Sequence, residues 1–201
     1  ELDSLYQEVI LDHYRNPLHK GLSEEKDIQV HHNNPSCGDE VTLNLIMKDG
    51  IVKDISWDGV GCSISMASTS VMSDLLIGKN YADSLKIVES FVELMQSKGQ
   101  SSGNEDLLED GVAFAGVSKF PARIKCALLG WMAFKDAALL WGLTNPADAA
   151  TALTVSISTE AGGSSAAIAV VSAKNGNIII DVSSINIGQC LLIAIPKCLR
   201  L

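Results

Sequence analysis

Cys37, Asp39, Cys62 and Cys126 are the residues whose types suit metal chemistry. Cys37 and Asp39 flank Gly38 in Asn34-Pro35-Ser36-Cys37-Gly38-Asp39. In extended backbone, alternate side chains point the same way, so this thiol and carboxylate can face one ion together. Gly38 tolerates a turn between them and leaves room for an approaching group. Cys62 follows Gly59-Val60-Gly61, a flexed turn at an expected helix start. The positive end of a helix favours thiolate over thiol there. Cys126 lies in a long helical pattern, three residues after Arg123. That spacing puts Arg123 on the same helix face, where it can pair with Asp39 or a thiolate. Three thiolates and a carboxylate form a tetrahedral donor set for zinc, with sulfur at about 2.3 Å and oxygen at about 2.0–2.2 Å. Around a divalent ion they leave a local charge of about −2. The cysteines are dozens of residues apart, unlike the tight pairs of a zinc finger. By spacing alone, each reads as readily as a small buried hydrophobe.

Other candidates are weaker. Strand alternation sends the rings of His31 and His32 to opposite faces, so at most one can reach a metal near Cys37. His13 reads as a helix-face residue, and Lys125 as solvated helix surface. Cys190 and Cys198 have no Cys-x-x-Cys pattern and are taken as bystanders. A cysteine hydrolase needs a nucleophile–base pair, and the sequence singles out none.

Elements must bring these groups together. Apolar residues at Leu2, Leu5, Tyr6, Val9 and Ile10 have helical spacing, ended by Asn16-Pro17. Ile28, Val30 and His32 alternate, as do Val41, Leu43, Leu45 and Met47. Asp49-Gly50 signals a hairpin, with Ile51–Trp57 as the return strand. Helices are expected after Ser63 (as cap) up to Gly78, around Leu85–Met95, and from Pro121 through Ile124, Leu128, Trp131 and Leu139. A polar, acidic linker is expected from Gln100 to Gly111. This order gives an α+β fold, a three-stranded antiparallel sheet packed with helices. Near Gly142 the composition changes, and no Phe, Trp or Tyr follows. The expected division is therefore a domain over 1–142 and an extension over 143–201. For the extension, alternation in Leu153–Ile157 and a turn at Lys174-Asn175-Gly176-Asn177 suggest short strands; a tail without a core is the equal alternative.

The 201 residues carry a net charge of −9 with no basic run, which disfavours a general nucleic-acid binder. Unbroken apolar stretches fall far short of a membrane span. The chain begins without Met, so a residue is expected to precede it, and its acidic start does not read as an export signal. Five scattered cysteines then point to the cytosol, where they serve as ligands or nucleophiles more often than as disulfides.

Cys37-Gly-Asp39, Gly-x-Gly-Cys62 and Arg123-Ile-Lys125-Cys126 together resemble the NifU/IscU-like scaffold superfamily, and most closely its SufU branch. The run Leu5–Tyr14, Asn16-Pro17 and Gly111-Val-Ala-Phe-Ala-Gly116 also look like that family. The resemblance covers about Leu2 to Leu140. It implies an α+β scaffold with a metal site at one end, working in iron–sulfur cluster assembly. IscU-like members carry His immediately before the third cysteine, where this chain has Lys125, and have a shorter stretch between the second and third cysteines. Both departures point to the SufU branch, with Asp39 as fourth ligand and zinc favoured over a resident cluster. The resemblance further implies a PLP-dependent, SufS-like cysteine desulfurase as partner, Cys37 as sulfur acceptor, and downstream assembly proteins or apoproteins as recipients. The chain would be a sulfurtransferase-like acceptor rather than a free-standing catalyst. The alternative is a scaffold on which an iron–sulfur cluster forms.

Overall fold

A computed structural model of the chain describes residues 2–35, 37–153, 169–174 and 177–182. Helix α1 (Leu2–Arg15) leads into a meander of β1 (Ile28–Asn34), β2 (Asp39–Lys48) and β3 (Ile51–Val60), paired antiparallel in the order β1-β2-β3. The β2–β3 turn is the expected one: Asp49 and Gly50 both have positive φ, 53° and 73°, as a tight primed turn demands. Alternation in β2 buries Val41, Leu43 and Leu45 without exposed surface, and Met47 nearly so.

Helices cover the buried face. α2 (Ser63–Leu76), α3 (Tyr81–Gln96), α4 (Glu105–Leu108), α5 (Pro121–Thr144) and α6 (Pro146–Leu153) follow in order. Pro121 opens α5, where its missing N–H costs nothing. By length and apolar composition α5 would also suit a membrane span. Its packing explains that composition: Trp131 and Phe134 are fully buried, and Trp131 stacks on Phe91 of α3 at 4.0 Å between centroids. α2 presents a buried stripe of hydroxyls, including Ser65, Ser68, Thr69, Ser70 and Ser73. Their small size lets α5 approach closely: Gly130 leaves no room for a Cβ against Thr69. Ser68 Oγ donates to Ala127 O at 2.7 Å and accepts from Trp131 Nε1 at 2.9 Å. Among the described residues, no buried side-chain polar atom lacks a partner.

Three expectations change. The acidic linker expected over 100–111 is structured from Glu105 onward. Asn104 caps α4 by accepting from Leu107 N, and a run of 3₁₀ turns (Glu109–Lys119) follows. Leu108 and Phe114 are fully buried, while Glu105, Asp106, Glu109 and Asp110 face out, so the acidic residues mark a surface rather than a linker. Second, the boundary expected at 142 falls inside α5, and the first compact unit runs to Val155. Gly142 marks a close approach, since a Cβ there would meet Tyr81 Oη at 2.6 Å and Ala149 Cβ at 3.5 Å. Third, Leu153 ends α6 rather than starting a strand. The second unit, Ser156–Leu201, contains β4 (Ala169–Lys174) and β5 (Asn177–Val182), paired antiparallel up to Lys174 and Asn177, as the expected turn requires. Leu153–Ile157 lies largely outside the described residues, as do Cys190 and Cys198.

The boundary can be tested by truncation. A chain ending at Val155 is expected to keep the full-length melting temperature of the first unit. One ending at Thr144 exposes the Tyr81–Trp141 region that α6 covers, at about 1 kcal/mol or more, and should melt at least about 2–4 °C lower. Equal melting of the two would show that α6 contributes nothing.

Candidate metal centre

One end of the sheet gathers the ligand candidates. Asn34 and Asp39 pair at the open ends of β1 and β2, and the turn between them carries Cys37. Asn34 O accepts from Cys37 N at 3.2 Å and Gly38 N at 2.9 Å, and Gly38 takes φ +71°, a value its missing Cβ permits. Cys37 and Asp39 therefore converge through a turn, not through the strand alternation expected for them. Cys37 Sγ is 3.1 Å from Asp39 Oδ2 and 3.2 Å from Cys126 Sγ. Ligand atoms of Cys37, Asp39 and Cys126 all lie within 4.8 Å of one another.

Exposure across the group is unequal. Cys37 is exposed, whereas Asp39 and Cys126 retain 2% and 5% of their surface. Burial alone would raise the Asp39 pKa, but hydrogen bonds from Cys37, Cys126, the Cys62 N–H and Ser65 outweigh it and hold the carboxyl below its ordinary value. The Cys126 thiol moves strongly upward, first through burial, then through its bonds to Cys37 and Asp39 and the nearby charges of Cys62 and Asp39.

Cys62 is the N-cap of α2, one residue earlier than the expected cap Ser63. Its N–H donates to Asp39 Oδ1 at 3.0 Å. Its sulfur stands outside the three-residue group and accepts from Ser65 Oγ at 3.6 Å. Three of the four expected ligands thus meet directly, and the fourth is tied to them through its backbone. Tetrahedral zinc at ordinary bond lengths spaces sulfur pairs by about 3.8 Å and sulfur–oxygen pairs by about 3.5 Å. The observed contacts are slightly shorter, so the atoms need part by only about half an ångström to admit an ion. The donor set fits.

Arg123 is placed differently from its expectation. Its guanidinium lies over the Phe120 ring, 5.5 Å from the centroid, on the exposed side of α5, and among the described residues it forms no ion pair with Asp39. Lys125 is exposed, as read. His31 and His32 do part: His31 Nδ1 meets Thr42 Oγ1 at 3.0 Å, and His32 Nε2 meets Asp136 at 3.0 Å. His13 joins three elements, through Ser70 Oγ at 2.8 Å and Asp110 Oδ2 at 3.4 Å. Because Ser70 is completely buried, this Ser–His–Asp row is a structural tie with no access for a substrate.

Sequence reasoning missed Asn34 and Ser65. Asn34 Nδ2 points at Cys126 Sγ from 4.0 Å while its carbonyl holds the Cys37 turn. The available signals were an Asn before Pro35, and a Ser three residues into a helix after Cys62.

Residues 5–127 match the family model described as the NifU-like N terminal domain. The zinc-dependent sulfurtransferase SufU of Bacillus subtilis is 46% identical over 134 residues, 67% of this chain and 89% of that protein. The iron–sulfur cluster assembly scaffold protein IscU of Streptococcus pyogenes is 40% identical over 138 residues, 68% of this chain and 84% of that one. Among solved structures, a Fervidobacterium islandicum protein assigned to the SUF system superposes with a TM-score of 0.61 at 32% identity, covering 67% of this chain and 97% of that one.

The raised Cys126 thiol generates a pH prediction. It is protonated at neutral pH, so a metal must displace its proton, and affinity should rise with pH. Competition against a chromophoric chelator between pH 6 and 8 should show binding tightening at least about tenfold per unit. Affinity independent of pH would contradict this protonation state.

Proposed function

Because the chain belongs to the NifU-like N-terminal domain family, we propose that it serves iron–sulfur cluster assembly as a zinc-dependent acceptor and carrier of sulfur. The donor is a PLP-dependent cysteine desulfurase of SufS type, and the recipients are downstream assembly proteins or apoproteins. The observation that carries this reading is the unequal exposure of the clustered ligands. Cys37 faces solvent on a glycine-containing turn, while Asp39 and Cys126 are fixed in the interior. Exposure thus puts Cys37 and Cys62 within reach of a protein-borne persulfide and excludes Cys126, and the resemblance to the SufU branch selects Cys37 of the two. Cys37, Asp39, Cys62 and Cys126 would hold the zinc, which keeps the thiols deprotonated yet protected. The Cys37 thiolate attacks the terminal sulfur of the desulfurase persulfide. One S–S bond forms on Cys37 as the original one breaks, and the desulfurase thiolate leaves, so no external oxidant or reductant is needed. The SufU relative, named as a zinc-dependent sulfurtransferase, supports this choice, as does Lys125 before Cys126.

The second reading is a scaffold holding a cluster as cargo, supported by the IscU relative's name and by the same thiolate ligands. The two respond differently to one change. After incubation with desulfurase and cysteine, intact-mass analysis and peptide mapping should place the added sulfur on Cys37. Cys37→Ser should gain nothing and no longer stimulate the desulfurase, while keeping its fold. Sulfur on Cys62 or Cys126, with Cys37→Ser fully active, would contradict the carrier role; a brown, cluster-loaded protein after anaerobic purification would favour the scaffold.

A further inference from the structure

One sulfur pair of the centre joins residues of opposite accessibility. Cys37 Sγ lies 3.2 Å from Cys126 Sγ, with Cys37 exposed on its turn and Cys126 keeping 5% of its surface on α5. A disulfide holds its sulfurs about 2.05 Å apart, so the pair must close by about 1 Å. The room for that movement lies on the Cys37 side. Cys126 is fixed in a long helix packed against α2, whereas Cys37 belongs to a short turn between β1 and β2. Cys62 is exposed as well, but its sulfur stands outside the group of Cys37, Asp39 and Cys126 and faces Ser65 Oγ at 3.6 Å. A small oxidant can therefore reach Cys37 or Cys62, and of these two Cys37 is the one seated against a second thiol.

We propose that this pair is an oxidative modification site, at which a hydroperoxide converts Cys37 and Cys126 of the metal-free chain into a reversible disulfide. Peroxide oxidises the exposed Cys37 thiol to a sulfenic acid; the O–O bond breaks and one water leaves. The Cys126 thiol then attacks the Cys37 sulfur. The S–S bond forms, the S–O bond breaks, and the sulfenic oxygen departs with the Cys126 proton as a second water. The two thiols together lose two electrons, and the peroxide takes them. Contact between the sulfurs makes the second step intramolecular, which favours it over further oxidation of Cys37 to the sulfinic acid. With zinc bound both sulfurs would be engaged as ligands, so the bond belongs to the metal-free chain. It removes two of the four expected ligands at once, and a dithiol reductant reverses it by exchange at the exposed Cys37 sulfur. That it also blocks sulfur acceptance rests on the carrier reading above; the bond itself does not.

The test uses the full chain, stripped of metal by a chelator, reduced, freed of reductant without oxygen and treated with hydrogen peroxide. Intact mass should fall by two hydrogens, and peptide mapping without reductant should join the Cys37 and Cys126 peptides. Zinc uptake should be lost in the treated protein, and dithiothreitol should restore both mass and uptake. Two variants fix the pairing. Cys62→Ser should still form the link, whereas Cys126→Ser should stop at a sulfenic acid on Cys37, trapped by dimedone. A link from Cys37 to Cys62, Cys190 or Cys198 would overturn the proposal, as would sulfinic acid on Cys37 with the Cys126 thiol left free. Mapping of the unaltered chain decides the matter even if a variant fails to fold. Untreated, reduced protein that takes up no zinc would overturn the zinc reading and leave the disulfide still readable by mass.

Discussion

The hydrogen bond from the Cys62 N–H to Asp39 Oδ1, 3.0 Å long, joins the start of α2 to the start of β2. Both are places where a regular element has unmet backbone needs, and a buried carboxylate is affordable only where donors surround it. Asp39 is therefore more than a candidate ligand. It organises the β1–β2 turn, the α2 N-terminus and the sulfur of Cys37 around itself, and its lowered pKa is the electrostatic record of those donors.

The remaining sulfur arrives by another route. Cys126 reaches the site because α5 lies close against α2, and that approach depends on small residues: Gly130 against Thr69, and Ser68 bridging Ala127 O and Trp131 Nε1. Large aromatic groups then set the depth of α5, with Trp131 stacked on Phe91 and Phe91 edge-on to Phe114. The serine-rich face of α2 thus serves packing in its middle, through Ser68 and Thr69, while at its N-terminal end Ser65 bonds Cys62 O and Sγ. A core error in this region would reach the metal centre without touching a ligand.

Features set by local chemistry were legible in the sequence: the Asp49-Gly50 turn, the alternation of β2, Pro121 at the first turn of α5, and the four candidate ligands as types. Features set by tertiary packing were not. Acidic residues after Asn104 looked like a linker because sequence periodicity does not register a one-turn helix and a 3₁₀ run, whose Leu108 and Phe114 respectively are buried. Arg123 shares a helix with Cys126, but its guanidinium lies over the Phe120 ring, a contact that helix-face spacing alone does not reveal. The composition break at Gly142 was real, yet Gly142 itself packs closely against Tyr81 and Ala149, and Ala149 is buried in the same core as Tyr81 and Trp141.

The Cys62 sulfur stands outside the group formed by Cys37, Asp39 and Cys126, so its coordination decides whether the proposed zinc centre is a three-sulfur, one-oxygen site. X-ray absorption at the zinc edge of the purified full-length protein reads that composition directly. Three sulfurs at about 2.3 Å and one oxygen at about 2.0 Å are expected. Two sulfurs with additional light atoms, or iron in place of zinc, would contradict it.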